Sequence, residues 1–204
     1  MTIRRNQPWG EHVQSPPNLH VVPTDRAARE WVTAQRSSAR ALQPVGLGGG
    51  DLARTIGGGH GGRFPGHVMM APVDVLRVEA DDGRVTWAVA HVVARRSWWR
   101  GEVYFAMNAQ FLGDYDVAPR SHPNDGKVDT LLVQPAMSLR DRVQAHRRAR
   151  TGTHAPHPHL TTTQAAAHSV RFARPLVVWV DGVRWGAAAS LSVTVEPDAL
   201  MVYA

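Results

Sequence analysis

The sequence predicts an α+β protein, mostly an antiparallel β-sandwich preceded by a truncated α/β nucleotide-binding remnant. Three observations carry this expectation. The first part of the chain alternates short apolar runs with a helical stretch and a glycine-rich loop. From His67 onward, β-branched apolar runs separated by turn residues take over. No repeat of fixed period is visible, so a solenoid or propeller is not expected. The boundary is drawn between residues 1–66 and 67–204.

Each element has its own signal. Leu19 to Val22 is a short apolar strand candidate. Thr24 is placed to cap a helix with Asp25 in its first turn. Arg26 to Ser38 reads as that helix, with Ala27, Ala28, Trp31, Val32 and Ala34 on one apolar face. Ala41 to Val45 is a second extended segment, leading into the glycines and a helix start at Asp51. Gly57 to Gly66 (GGGHGGRFPG) reads as a flexible connector. In the second part, Val68–Ala71 and Val73–Glu79 are extended, with Asp82-Gly83 as a hairpin signal. Val85–Ala94, Glu102–Asn108, Val128–Val133, Leu176–Val180, Ser190–Val195 and Leu200–Tyr203 complete the strands. A helix is expected from Ser138 to Arg150, with Ser138 as its cap. The closing Arg147-Arg148-Ala149-Arg150 complements the helix dipole.

Composition narrows the function classes. At 204 residues the chain can bury a sizeable core, and its 43% apolar content is ordinary for a globular protein. Cysteine is absent, which excludes disulfides and zinc–thiolate sites. No apolar run approaches the ~20 residues of a membrane span. MTIRRNQPWGEH lacks a secretory apolar core, so a cytoplasmic location, peripheral to the membrane at most, is expected. The net charge is +6, almost all from arginine, with Lys127 the single lysine. That charge favours anionic partners: phosphates, acidic lipid surfaces or nucleic acid.

The most informative stretch is Pro44 to Gly59, PVGLGGGDLARTIGGG. Glycines let backbone N–H groups approach a phosphate, and a helix start adds partial positive charge. Gly48, Gly49, Gly50 and Asp51 therefore read as a phosphate loop, or as a solvent loop with Asp51 capping a helix. Asn124-Asp125-Gly126 is a turn whose side chains can bond their own backbone. Asp181-Gly182 reads as a tight hairpin turn. His154, His157 and His159 are spread by Pro156 and Pro158 and read as an exposed loop rather than a metal cluster. Arg95-Arg96-Ser97-Trp98-Trp99-Arg100 pairs cations with tryptophans. It suits either a loop covering core or an interfacial surface near a lipid entrance.

In order and spacing, these motifs resemble the diacylglycerol kinase catalytic family in its bacterial lipid-kinase branch. PVGLGGGDLARTIG resembles the family's Pro-Leu-Gly-Thr-Gly-Asn-Asp-Phe-Ala-Arg loop, with one extra residue and Gly50 in the asparagine place. VDVLRVE fits the strand that follows. VYFAMNAQFLGDYDVAPRSHPNDGKVD fits the Asp-Gly-x-Leu-Asp region, and VVWVDGVRWG with SLSVTVEPDALMVY fits the closing strands. The resemblance spans Leu19 to the C-terminus. It implies ATP and Mg2+ as cofactors, with Gly48, Gly49, Gly50 and Asp51 at the nucleotide, Asp125 as a metal ligand, and Asp181 at the edge of the catalytic cleft.

Departures from the pattern are equally specific. Where the family's first glycine loop should follow Leu19–Val22, this chain has Pro23-Thr24-Asp25-Arg26-Ala27, and Pro23 offers no N–H. Most of the preceding α/β domain is lacking. The family's general-base glutamate is replaced by Val183, which cannot accept a proton. Asp181, Glu102, Asp114 and Asp116 are the carboxylates that could stand in for it. The expectation is therefore a divergent lipid-kinase-like protein with phosphotransfer weak or lost and a lipid- or anion-binding role. Two alternatives are an active kinase that completes its site as a homo-oligomer and a basic nucleic-acid-binding module, with nucleic acid the less expected partner.

Overall fold

The computed structural model describes residues 9–58 and 63–204. The N-terminal elements are β1 (Glu11–Gln14), β2 (Val21–Val22), α1 (Asp25–Ser37), β3 (Val45–Leu47) and α2 (Asp51–Ala53). A wider helical turn, Arg54–Gly58, extends α2. Next come β4 (His67–Ala80), β5 (Val85–Ala88), β6 (His91–Arg95), β7 (Val103–Met107), β8 (Phe111–Leu112), β9 (Tyr115–Asp116) and β10 (Val128–Val133). α3 (Leu139–Arg148), β11 (Leu160–Ala165), β12 (Ala167–Val180) and β13 (Val183–Tyr203) close the chain. Residues 59–62 of the expected connector lie outside the described residues.

The main ladder runs β1-β4-β13-β12-β6-β7-β10-β11, with β5 on β4, β3 on β13 and β2 on β3. All pairings are antiparallel except β2–β3 and β3–β13. The ladder curls so that Leu76 and Val78 of β4 and Ala88 of β5 share one buried cluster with Val92, Tyr104, Ala106, Val128, Val178 and Leu191. This is the sandwich core. A second cluster joins Ala28 and Val32 of α1 and Leu52 of α2 to Val73, Val75, Leu200 and Val202. The N-terminal segment therefore packs on the far ends of β4 and β13. A third cluster lies on the other face of β6, β7 and β10 and includes Val93, Val103, Phe105, Met107 and Leu131. β7 is buried along its whole length because both of its faces are covered.

Several boundaries depart from expectation for physical reasons. Val68–Ala71 and Val73–Glu79 are one strand, since Pro72 sits where β4 meets β13 without needing a ladder N–H. The three C-terminal strands are two long ones. β13 is bulged between Glu196 and Leu200, where Pro197 falls and Asp198 takes φ +52°. Val85–Ala94 divides into β5 and β6 because the amides of Val89, Ala90 and His91 leave the ladder for the Asp181 carboxylate. The second extended segment is Val45–Leu47 rather than Ala41–Val45, held by parallel pairing to β2 and β13. The helix caps follow the sequence: Thr24 accepts from Ala27 N and Ser138 from Asp141 N. Among the described residues, no helix is long and apolar enough to cross a membrane.

Candidate functional site

Four acidic or basic side chains converge from the ends of different elements. Asp25 opens α1, Asp51 opens α2, His91 opens β6, and Asp181 sits in the two-residue turn between β12 and β13. Asp181 and Gly182 both have positive φ, 45° and 78°, the geometry of a tight hairpin matched to strand twist. This turn carries the Asp181 side chain inward. Its carboxylate accepts from Val89 N at 2.8 Å and from Ala90 N and His91 N at 2.9 Å. Buried Asn108 backs the Val89–Ala90 segment that faces this turn, donating to Asp74 O and Val89 O.

Asp25 spans the glycine loop. Its Oδ2 accepts from Asp51 N at 2.6 Å and its Oδ1 from Leu52 N at 3.2 Å. These are the amides at the start of α2, so a carboxylate of the chain itself holds the place of an anion there. Gly50, at φ +104°, is required: a Cβ at that position would lie 2.5 Å from Asp25 Oδ1. Asp51 in turn accepts from Gly113 N at 2.9 Å and pairs with His91 Nε2 at 3.2 Å. Arg54 donates to Gly113 O, fastening the β8 turn to α2. A cavity of about 400 Å³ is walled by these groups together with Thr24, Arg26, Leu112 and Gly182.

The electrostatics of the site are lopsided. Burial, with the Asp181 charge added, raises Asp25 to about 6 in spite of the Asp51 and Leu52 amides. Burial likewise raises Asp181, against the pull of His91 and three amides. Burial resists charge on His91, but the Asp51 hydrogen bond and the Asp181, Asp51 and Asp25 charges outweigh it and hold its pKa up. Asp25, Asp51 and His91 offer ligand atoms all within 4.8 Å of one another, the one such group among the described residues. Two carboxylates and an imidazole suit a divalent cation. A bare phosphate chain does not fit: it would meet three carboxylates, and two loop amides already have a partner.

A second, apolar cavity of about 550 Å³ lies behind α3, against Phe105, Leu131, Met137 and Leu160. Leu112 lines both cavities, and Gly113, whose amide binds Asp51, lines this one. Its size is that of a small-molecule site, and its lining is almost wholly apolar. Buried Arg142 closes one side. It donates to the carbonyls of Met137, Trp98, Gly101 and Gln134, tying α3 to the tryptophan loop.

The sequence-derived residues thus scatter. Gly50, Asp51 and Asp181 border the polar cavity, whereas Gly48 turns its amide to Val22 O. Asp125 lies at a separate turn. Its Oδ1 accepts from its own neighbour Lys127 N, and its Oδ2 from Gln164, which also reaches Asp129. Asp74 beside it holds Gly126 N and Asp198 N. Glu102, Asp114 and Asp116 do not line the polar cavity. Val183 is the first residue of β13 and is half-buried. His154 is buried in the wall of the apolar cavity, which corrects its reading as part of an exposed loop. Burial holds its pKa down, leaving a neutral ring. His91 and the bridging role of Asp25 were missed. Their signals were a histidine in the inward phase of an apolar strand and an aspartate just after a cap.

Two stacked antiparallel layers with a polar cleft beside an α/β segment define a kinase-type sandwich. The model of the YegS C-terminal NAD kinase beta sandwich-like domain matches residues 74–204, and the chain belongs to that family. Two solved structures of a Bacillus anthracis str. Sterne protein described as a diacylglycerol kinase are similar to it at 12% identity and TM-score 0.62. One comparison covers 91% of this chain and 77% of the other, the second 92% and 78%. A third structure, of diacylglycerol kinases from the same organism, gives TM-score 0.52 at 12% identity, covering 81% and 67%. At such identity the likeness is one of fold. No curated protein matches the sequence. The divergent lipid-kinase-family resemblance read from the motifs is therefore borne out.

Proposed function

We propose that this protein binds an amphiphilic lipid on a kinase-family scaffold whose ATP-dependent phosphotransfer is weak or lost. The observation that carries this reading is the apolar cavity of about 550 Å³, which shares the wall residue Leu112 with the polar cavity, so that a chain behind α3 would have its polar end beside the Asp51 side of that wall. The weakness of transfer rests on three features. Val183 stands where a proton acceptor is needed, Pro23 replaces a flexible glycine, and Asp25 occupies the amides of the α2 start. Asp181 is a poor substitute base because its oxygens already accept three N–H groups.

A delipidated sample tests the reading. Native mass spectrometry or displacement of a fluorescent fatty acid should show one lipid bound per chain. Ala145→Trp, which places an indole in the cavity from α3, should abolish binding, while transfer of labelled phosphate from ATP to diacylglycerol stays at background. Full lipid binding in Ala145→Trp, or transfer well above background, would refute it. A second reading, retained transfer, is favoured by the Asp25–Asp51–His91 convergence. A divalent cation there would neutralise phosphate charge. That reading requires Mn2+ to raise the melting temperature of the wild type but not of His91→Ala.

A further inference from the structure

Among the described residues, four large hydrophobic side chains are exposed, and three of them gather at the apolar cavity. Trp98 and Trp99, 41% and 42% exposed, line it. Leu139, 59% exposed, opens α3, the helix that walls it. Leu139 lies three residues before Arg142, whose guanidinium bonds Trp98 O and Gly101 O, so the helix start and the tryptophan loop form one braced surface. Arg95 stacks its guanidinium over Trp98 at 4.1 Å.

The charge of the molecule is concentrated on the same two segments. Residues 95–100 and 138–150 hold eight arginines and one carboxylate, Asp141, a surplus of +7 against +6 for the whole chain. Asp141 is engaged by Ser138. Arg96, Arg100, Arg140, Arg147, Arg148 and Arg150 are exposed. Tryptophans among arginines, at the mouth of an apolar cavity, match the interface of a bilayer with an anionic surface. The rings settle at the headgroup level and each cation adds attraction. A second copy of this chain is a poor occupant, since pairing this face with itself would oppose two strongly positive surfaces.

We infer that the Trp98–Trp99 loop and the start of α3 form a docking surface for anionic membranes. Docking there brings the mouth of the apolar cavity against the lipid. The inference deepens the lipid reading of the cavity, and its test is separable from it. Full-length protein is sedimented with vesicles of phosphatidylcholine alone and with about 30 mol% phosphatidylglycerol added. Binding is expected only to the anionic vesicles, falling steeply with salt. Trp98→Ala/Trp99→Ala and Arg96→Glu/Arg100→Glu should each weaken it more than tenfold, and Leu139→Ser by a smaller factor. Val21→Ser, at the fourth exposed hydrophobic, should leave it unchanged, with circular dichroism and melting temperature reporting that every variant folds. Ala145→Trp should still dock even where it no longer holds a lipid, so failure of the cavity reading leaves docking intact. Equal binding to neutral vesicles, unaltered binding by the tryptophan variant, loss of docking in Ala145→Trp, or a dimer dissolved by Trp98→Ala/Trp99→Ala would overturn the inference. So would binding to an RNA oligonucleotide in place of vesicles.

Discussion

Asp25 makes the stability of this protein fall as pH rises, and the size of the effect follows from its surroundings. Its carboxyl moves from an ordinary value of 3.8 in the unfolded chain to about 6 in the folded protein, chiefly through burial and then through Asp181. The folded state therefore holds this proton more tightly than the unfolded one. Stability is greatest below pH 3.8, declines between there and pH 6, and has lost ~3 kcal/mol once both states are ionised. Roughly half of that, ~1.4 kcal/mol, falls between pH 5 and 7.5. The raised values of His91 and Asp181 act in the same direction, because each group is also more readily protonated when folded. Asp25→Asn removes one titration and keeps one acceptor. One of the amides of Asp51 and Leu52 then lacks a partner, lowering stability by ~1–2 kcal/mol relative to the protonated carboxyl. Urea unfolding followed by tryptophan fluorescence at pH 5 and 7.5 measures both quantities. The variant should match the wild type at pH 5 to within ~1 kcal/mol and should lose ~1.4 kcal/mol less than the wild type on going to pH 7.5. A variant with the full wild-type dependence on pH would refute the argument, since the proton would then belong elsewhere.

Other perturbations have defined outcomes. Gly50→Ala forces a Cβ against the Asp25 carboxylate at a positive φ, so chemical denaturation should show a loss of ~2–4 kcal/mol. Asn108→Ala frees the carbonyls of Asp74 and Val89 inside the core and should lower the unfolding free energy by ~2–4 kcal/mol. Arg142→Met keeps the stem but drops every bond to the tryptophan loop. Hydrogen exchange at residues 98–101 should rise well before global stability changes. Asp51→Asn, like His91→Ala, should abolish any Mn2+-dependent rise in melting temperature.

The legible parts of the fold were those written in local chemistry. Thr24 and Ser138 announced two helices, Asp82-Gly83 and Asp181-Gly182 announced hairpins, and β10 carried its apolar run from Val128 to Val133 intact. The missed elements are set by partners distant in sequence. β11, Leu160–Ala165, is largely polar and exposed, and is a strand only because β10 offers it a ladder. β1 exists through β4 in the same way. The site divides along similar lines. Asp51 and Asp181 stood in motifs, whereas His91 became visible only when the chain folded across the sandwich. The burial of His154 also depends on such long-range packing.

The way α2 is capped bears on whether the polar cavity has a ligand. In this same chain, α1 and α3 are capped by neutral hydroxyls, Thr24 and Ser138. α2 is capped instead by a buried carboxylate that resists ionisation and faces two further carboxylates with one imidazole between them. A neutral cap would serve α2 at less electrostatic cost. Gathering two buried acids and a half-buried one around one histidine weakens a fold unless positive charge arrives from elsewhere, and groups shifted as Asp25 and Asp181 are gather where chemistry or binding requires them. His91 supplies part of that charge, its proton held by the Asp51 hydrogen bond and the surrounding carboxylates. Above about pH 6, where Asp25 ionises, a cation between Asp25, Asp51 and His91 would complete the balance. On this argument Mn2+ should stabilise the protein more at pH 7.5 than at pH 5.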